Sequence, residues 1–230
     1  MYDERAKRHF PNGPEEWRQA RASVSGSRGH RTLDIMGFQV MQDWESPLMR
    51  KMAESVTRPG TAILEIGYGL GLCTDFVQAR EPRLHVVVEA NRDVFDLARR
   101  RHQSAIEAGR MHLLDGFWED MVEGSLIRQG VLNGYDGIIF DTFPLRSSDL
   151  RKNHFPFFPA ARKLLARGGA FTYYSDEADE LSPSHRDALS MGFPGCQILT
   201  ELIAVRPEVD CEYWNATSIL HVVVRDARVT

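Results

Sequence analysis

The stretch LEIGYGLG, residues 64–71, follows a short apolar run, Thr61 to Ile66, and precedes a helical pattern from Leu72 to Arg80. Its glycines stand at 67, 69 and 71. Without a Cβ the backbone there can turn tightly and approach a ligand closely. A strand, a glycine turn and a helix in that order place the turn where ligands of open parallel sheets bind. A pyrophosphate-binding fingerprint needs its third glycine three residues after the second. That position is Leu72, and Gly71 comes one residue early, which weakens a dinucleotide reading and disfavours a nicotinamide dehydrogenase.

The same rhythm runs outward from this turn. Leu84–Val88, Met111–Leu114, Tyr135–Phe140 and Ala170–Tyr174 read as further apolar strands. Asp93–Ile106 and Ala160–Ala166 read as helices, the latter stopping at Gly168-Gly169. Strands apolar on both faces and alternating with helices predict a parallel sheet covered on both sides. Gln197–Val205 and Ser218–Val224 lack a clear helix between them and read as a closing antiparallel pair. Ser46-Pro47 marks a helix start. Residues 1–30 contain PNGPEEW and SVSGSRGH and read as an irregular, mobile arm. The expected organisation is an arm or lid over 1–32 and a single domain over 33–230.

The bulk numbers remove several classes of function. The chain has 230 residues, 43% hydrophobic and 26% charged, which suits one soluble core. A net charge of −4 gives no reason to expect nucleic acid or an anionic membrane as partner. No apolar run approaches the roughly 18 residues of a membrane helix. MYDERAKRHF contains no apolar leader segment, so no secretory signal is expected. Cys73, Cys196 and Cys211 are few and in no metal-ligand spacing, which fits a reduced cytoplasmic setting and no metal. The oligomeric state is open.

The Glu-x-Gly-x-Gly-x-Gly pattern of residues 65–71 resembles the loop that wraps S-adenosylmethionine, a cofactor with no pyrophosphate to neutralise. HVVVEAN ends the second strand on Glu89, eighteen residues past Gly71, where a carboxylate can accept from both ribose hydroxyls. Asp141 ends the fourth strand in front of Thr142, Phe143 and Pro144. Aspartate is common in turns, but this one falls at the same carboxyl edge as Gly67, Glu89 and the segment 116–119. The layout of five alternating units and a terminal hairpin is similar to the Rossmann-like class I methyltransferases.

Three further stretches make the resemblance specific: VMQDWESPLM at 40–49, DGFWED at 115–120 and FDTFPL at 140–145. With LEIGYG they resemble guanidinoacetate N-methyltransferase and its relatives, from Leu33 to Gly169 and more weakly through VDCEYW at 209–214. The resemblance implies that Glu45 and Asp141 bind a guanidinium and that Asp141 takes its proton. It implies a cofactor pocket of Met41, Met49, Gly67, Tyr68, Gly69, Leu70, Gly71, Leu72, Cys73, Glu89, Ala90, Asn91, Phe117, Trp118, Glu119 and Asp141. It implies a substrate side of Glu45, Asp141, Thr142, Phe143, Ser175 and Asp176, with Trp17 as the candidate lid tryptophan.

The chemistry needs such a pair. A guanidinium has a pKa near 13, so only about one molecule in a million is neutral at pH 7. A cationic nitrogen has no free lone pair, so the site must hold the cation and remove a proton as the methyl group moves. Carboxylates match its planar donors, and one of them can act as general base. The chain departs from the animal guanidinoacetate enzymes after the fifth strand, where TYYSDEADE carries Asp176, Glu177, Asp179 and Glu180. These acids would repel a carboxylate and attract an amine, although Asp176 could equally cap a helix. The leading reading is a guanidino N-methyltransferase acting on an arginine-like compound or guanidino natural product. Methylation of an amine or other small molecule, and a non-catalytic cofactor-binding module, are the alternatives.

Overall fold

The protein is described from a computed structural model over residues 8–123 and 134–226. A short helix, α1 (Pro14–Gln19), leads into a three-stranded antiparallel sheet of β1 (Ala22–Ser25), β2 (Thr32–Ile35) and β3 (Phe38–Gln42). A single 3-10 turn over Asp43–Glu45 joins β3 to α2 (Ser46–Val56). Then come β4 (Ala62–Ile66), α3 (Leu72–Gln78), β5 (Leu84–Glu89), α4 (Arg92–Arg101), α5 (Gln103–Glu107), β6 (Met111–Asp115) and α6 (Trp118–Glu123). The chain continues through β7 (Tyr135–Phe140), α7 (Phe158–Leu164), β8 (Leu165–Tyr173), α8 (Pro183–Gly192), β9 (Gln197–Ala204) and β10 (Ser218–Arg225).

The large sheet has the order β6-β5-β4-β7-β8-β10-β9. The first five are parallel, and β10 pairs antiparallel with both β8 and β9. β4 and β5 are buried along their whole length because both sheet faces are covered. One face packs on α2, α3 and α4 through Met52, Val56, Val77 and Val94; the other carries an aromatic layer of Phe140, Phe157, Phe158, Phe171 and Tyr173. After β4 the chain moves outward to β5 and β6, then returns to lay β7 on the other side of β4. That reversal opens a crevice at the carboxyl ends of β4 and β7, the usual ligand position in such sheets.

Four expectations need correction. Residues 14–25 are not irregular: they form α1 and β1, and β1 pairs with β2 across the expected boundary at 32/33. The cause is tertiary. Trp17 is the one buried residue of α1, and its ring lies on Phe143 at 4.6 Å and 5°. Residues 1–7 of the expected arm lie outside the described residues. The helix expected over Asp93–Ile106 breaks at His102, whose ring turns in against Tyr68, with Nε2 and the hydroxyl 3.1 Å apart. The helix before Gly168-Gly169 ends at Leu164, and both glycines lie within β8, where the pairing with β7 shifts register. Asp176 caps no helix; it sits at φ 57°, and α8 starts at Pro183. Among the described residues no helix is long and apolar enough to cross a membrane, and no cluster of His, Cys, Asp or Glu could hold a metal. Cys73, Cys196 and Cys211 are free thiols.

Candidate active site

A cavity of about 610 Å³ occupies the crevice. Its rear wall is the glycine turn. Gly67 (φ 91°) is forced by contact: a Cβ there would lie 1.8 Å from the carbonyl oxygen of Asp141. The two turns after β4 and β7 therefore pack backbone to backbone, and the Asp141 N–H donates to the Ile66 carbonyl at 2.8 Å. Gly69 is needed for a different neighbour, because a Cβ would meet the sulfur of Met41 at 2.7 Å.

Glu89 ends β5 with 8% of its surface exposed. Its carboxylate accepts from the Tyr68 N–H at 2.9 Å and the Asn91 N–H at 2.7 Å. Burial pushes its pKa up, opposed by those backbone donors. A buried carboxylate at the strand end suits a vicinal diol, whose hydroxyls donate two hydrogen bonds. Phe117, Trp118 and Glu119 line the adjoining wall. Trp118 stands edge-on to Phe140 and Phe157, at 6.1 and 5.0 Å. Burial also raises the Glu119 carboxyl.

Across from the glycine turn, Glu45 is 3% exposed and lies at the end of the 3-10 turn. Its Oε1 accepts from the Gln42 N–H at 2.9 Å and from the Tyr213 hydroxyl at 2.6 Å. Asp141 faces the same space, and its pKa is held well above the usual carboxylate range, first by burial, then by the charges of Glu45, Asp176 and Glu65. Glu45 and Asp176 thus line the cavity together with Asp141, close enough for their charges to act on it. Thr142 is fixed by Asn153, whose side-chain amide donates to the Thr142 carbonyl at 2.6 Å. Phe143 lies beneath Trp17 and tilts against Phe38 at 5.2 Å. Pro11, Gly13 and Trp17 cover the cavity. This cover is pinned by Asn91, whose amide donates to the carbonyls of Trp17 and Ala20 at 2.9 and 2.8 Å, and by Arg18 pairing with Asp115 at 2.8 Å.

Of the expected residues, Trp17, Met41, Glu45, Gly67, Gly69, Glu89, Ala90, Phe117, Trp118, Glu119, Asp141, Thr142, Phe143 and Asp176 line this cavity. The others stand behind it. Met49, Leu72 and Cys73 are core residues, and burial raises the Cys73 thiol. Tyr68 turns its ring back to His102, and the Leu70 N–H donates to the sulfur of Met41 at 3.2 Å. Gly71 begins α3 in the left-handed region. Asn91 caps α4, accepting from the Val94 N–H at 3.2 Å, besides holding the cover. Ser175 donates to the Leu220 carbonyl at 2.6 Å. Glu177 is spent on His185 at 3.3 Å and the Ser182 N–H at 3.0 Å, while Asp179 and Glu180 are exposed; of that acidic run only Asp176 reaches the cavity. Tyr174 and Tyr213 also line it and were not foreseen. The signal for Tyr213 was VDCEYW, read as a family stretch without a role for the tyrosine.

A seven-stranded, mostly parallel sheet with a terminal antiparallel hairpin, a glycine turn after β4 and an acid ending β5 define a Rossmann-like class I methyltransferase. The solved structures agree on the fold. Spermidine synthase from Thermotoga maritima superposes with a TM-score of 0.65 at 15% identity, covering 91% of this chain and 70% of that one. The O-methyltransferase from Bacillus cereus, in complex with S-adenosylhomocysteine (SAH), gives 0.54 at 17% identity and covers 82% of each chain. The model of the guanidinoacetate N-methyltransferase family matches residues 10–226, and the chain belongs to that family. S-adenosylmethionine is the family's cofactor. The chain is also similar to protein arginine N-methyltransferase 2 of Yarrowia lipolytica, 32% identical over 142 residues, which are 59% of this chain and 28% of that protein. The protein of the same name from Saccharomyces cerevisiae is 30% identical over 141 residues, 59% of this chain and 32% of that one. These matches span about a third of the relatives' length.

Proposed function

We propose that the protein transfers a methyl group from S-adenosylmethionine to a nitrogen of a guanidino group on a small molecule, an arginine-like compound or guanidino natural product. The observation that carries this reading is the convergence of Glu45 and Asp141 on one cavity beside the glycine turn and Glu89. Glu89 would hold the ribose, and the Phe117–Glu119 wall the base. When bound, the cofactor supplies an electrophilic methyl group on a sulfonium. Glu45 pairs with one edge of the guanidinium and Asp141 with the reacting nitrogen. As that nitrogen attacks, its proton passes to an Asp141 carboxylate oxygen. Burial and the neighbouring carboxylates raise the Asp141 pKa before a cation is present, and the guanidinium opposes them, so that the carboxylate is ionised and placed to accept the proton. Phe143 and Trp17 exclude water from the exchange.

Asp176 beside this pair disfavours a substrate with a nearby carboxylate, such as guanidinoacetate, and suits arginine, agmatine or a similar compound. The cover of Pro11 to Trp17 supports a small substrate, and its residues would open for loading and close over bound ligands. A second reading, an arginine side chain within a protein, is favoured by the names of the relatives. Three free thiols support a reducing, cytoplasmic compartment.

Calorimetry on the protein saturated with SAH tests the reading. Arginine or agmatine is expected to bind, and amines of similar length without a guanidine to bind more weakly. Equal or better binding of the amines would shift the assignment to amine methylation.

A further inference from the structure

Glu45 is held from two sides. The Gln42 N–H reaches its Oε1 from the end of β3, and the Tyr213 hydroxyl reaches the same oxygen at 2.6 Å from the far end of the chain. Tyr213 belongs to the connection between β9 and β10 and is buried. Its ring packs on Trp44 at 5.7 Å, and the Trp44 indole N–H donates to the Gln42 side-chain oxygen at 2.9 Å. The connection is fastened to the small sheet. The Glu212 N–H donates to Gln39 Oε1 at 2.9 Å, the Gln39 amide donates to the Asp210 carbonyl at 3.0 Å, and His30 meets Glu208 at 2.8 Å. Arg8 pairs with Glu212. Burial and the Glu45 charge keep the Tyr213 phenol protonated, so it stands as a donor.

A glutamate side chain has three rotatable bonds, and a carboxylate that must meet a planar guanidinium edge has to be held in one plane. Two donors on one oxygen, approaching from different parts of the chain, restrict that plane. We propose that Tyr213 is a positioning residue for substrate recognition: its hydroxyl, mounted on the β9–β10 connection, sets the Glu45 carboxylate in the orientation that pairs with a guanidinium. The inference deepens the guanidino reading and rests on it.

The test is a double-mutant cycle read by binding of arginine and agmatine to the SAH complex. Tyr213→Phe keeps the ring and removes the donor. It is expected to weaken the guanidine ligand by about three- to tenfold, the cost of ordering one freed side chain on binding, with SAH affinity unchanged. In the Glu45→Gln background the same substitution should add less than about twofold, because its effect passes through Glu45. Losses that multiply in the double variant, or an unchanged affinity in Tyr213→Phe, would overturn the positioning role. Wild-type guanidine affinity in Glu45→Gln, or no binding of either ligand to the wild type, would overturn the guanidino reading beneath it. Should Tyr213→Phe fail to fold, Gln39→Ala loosens the connection from outside the cavity. It should weaken the guanidine several-fold and spare SAH, and an unchanged guanidine affinity there counts against the proposal.

Discussion

Asp141 has reasons to keep its proton: it is desolvated, and Glu45, Asp176 and Glu65 repel a further negative charge. A guanidinium reverses that balance, because an adjacent cation favours the carboxylate. Binding of arginine or agmatine should therefore release a proton, and affinity should rise with pH until the empty-site pKa is passed. Calorimetry in two buffers of different ionisation enthalpy reads the released proton; an identical heat in both would contradict the linkage. Asp141→Asn should lower turnover by about 10²–10⁴-fold through loss of the base, with SAH affinity retained. The substitution also has a stability signature. A carboxyl whose folded pKa is raised stabilises the fold at low pH and loses that contribution as pH rises through its folded value. The asparagine variant should then gain thermal stability over the empty wild type as pH rises from the unfolded value of about 3.9. Glu89 behaves differently because, besides the ribose role proposed for it, its carboxylate accepts from the backbone. Glu89→Gln should weaken SAH binding by about 1.5–3 kcal/mol. Glu89→Ala should add a stability loss of about 1–3 kcal/mol, since the Tyr68 and Asn91 N–H groups lose their acceptor.

At the scale of elements, the turns after β4 and β7 meet backbone to backbone. Gly67→Ala would push a Cβ into the Asp141 carbonyl, which is backbone and cannot swing away. With the strained φ added, a loss of about 3 kcal/mol or more and a large fall in turnover are expected. Gly71→Ala meets only the Tyr68 ring and should cost less in a thermal melt. The N-terminal cover is held by a ring stack and a handful of polar contacts, so it should open more readily than the large sheet. Amide exchange over residues 14–25 is expected to slow when SAH and arginine are both present; unchanged exchange would contradict a closing lid. The legible elements were those with a dense run of strand-forming apolar residues. β4, β5 and β7 are mostly apolar and buried, β10 is buried except at its two ends, and the exposed β9 still carries four Ile and Leu side chains among its eight residues. β1 to β3 were not legible. They are four or five residues long and interrupted by Asp34, and their turn at Met36-Gly37 takes left-handed geometry without an Asn-Gly signal. α1 has no apolar periodicity either; it is a helix because Pro14 starts it and Trp17 finds Phe143.

Across the whole molecule the site gathers residues from opposite ends of the chain. The glycine turn, Glu89, Glu45 and Asp141 were legible because local motifs carry them. Tyr213 and the docking of Trp17 were not, because each depends on a contact that crosses most of the sequence: Tyr213 to Glu45 spans 168 positions. The same long connections tie the small sheet and the β9–β10 connection to the wall of the cavity.

Methylation of a guanidine nitrogen can be read by incubating the protein with isotopically labelled S-adenosylmethionine and a panel of arginine, agmatine, guanidinoacetate, a peptide containing arginine, and matched amines. Product masses then show where the label goes. Guanidine methylation predicts label on a guanidino nitrogen of arginine or agmatine, little on guanidinoacetate, and loss of the product in Asp141→Asn. Label carried only by amines, or no label on any guanidine, would contradict it.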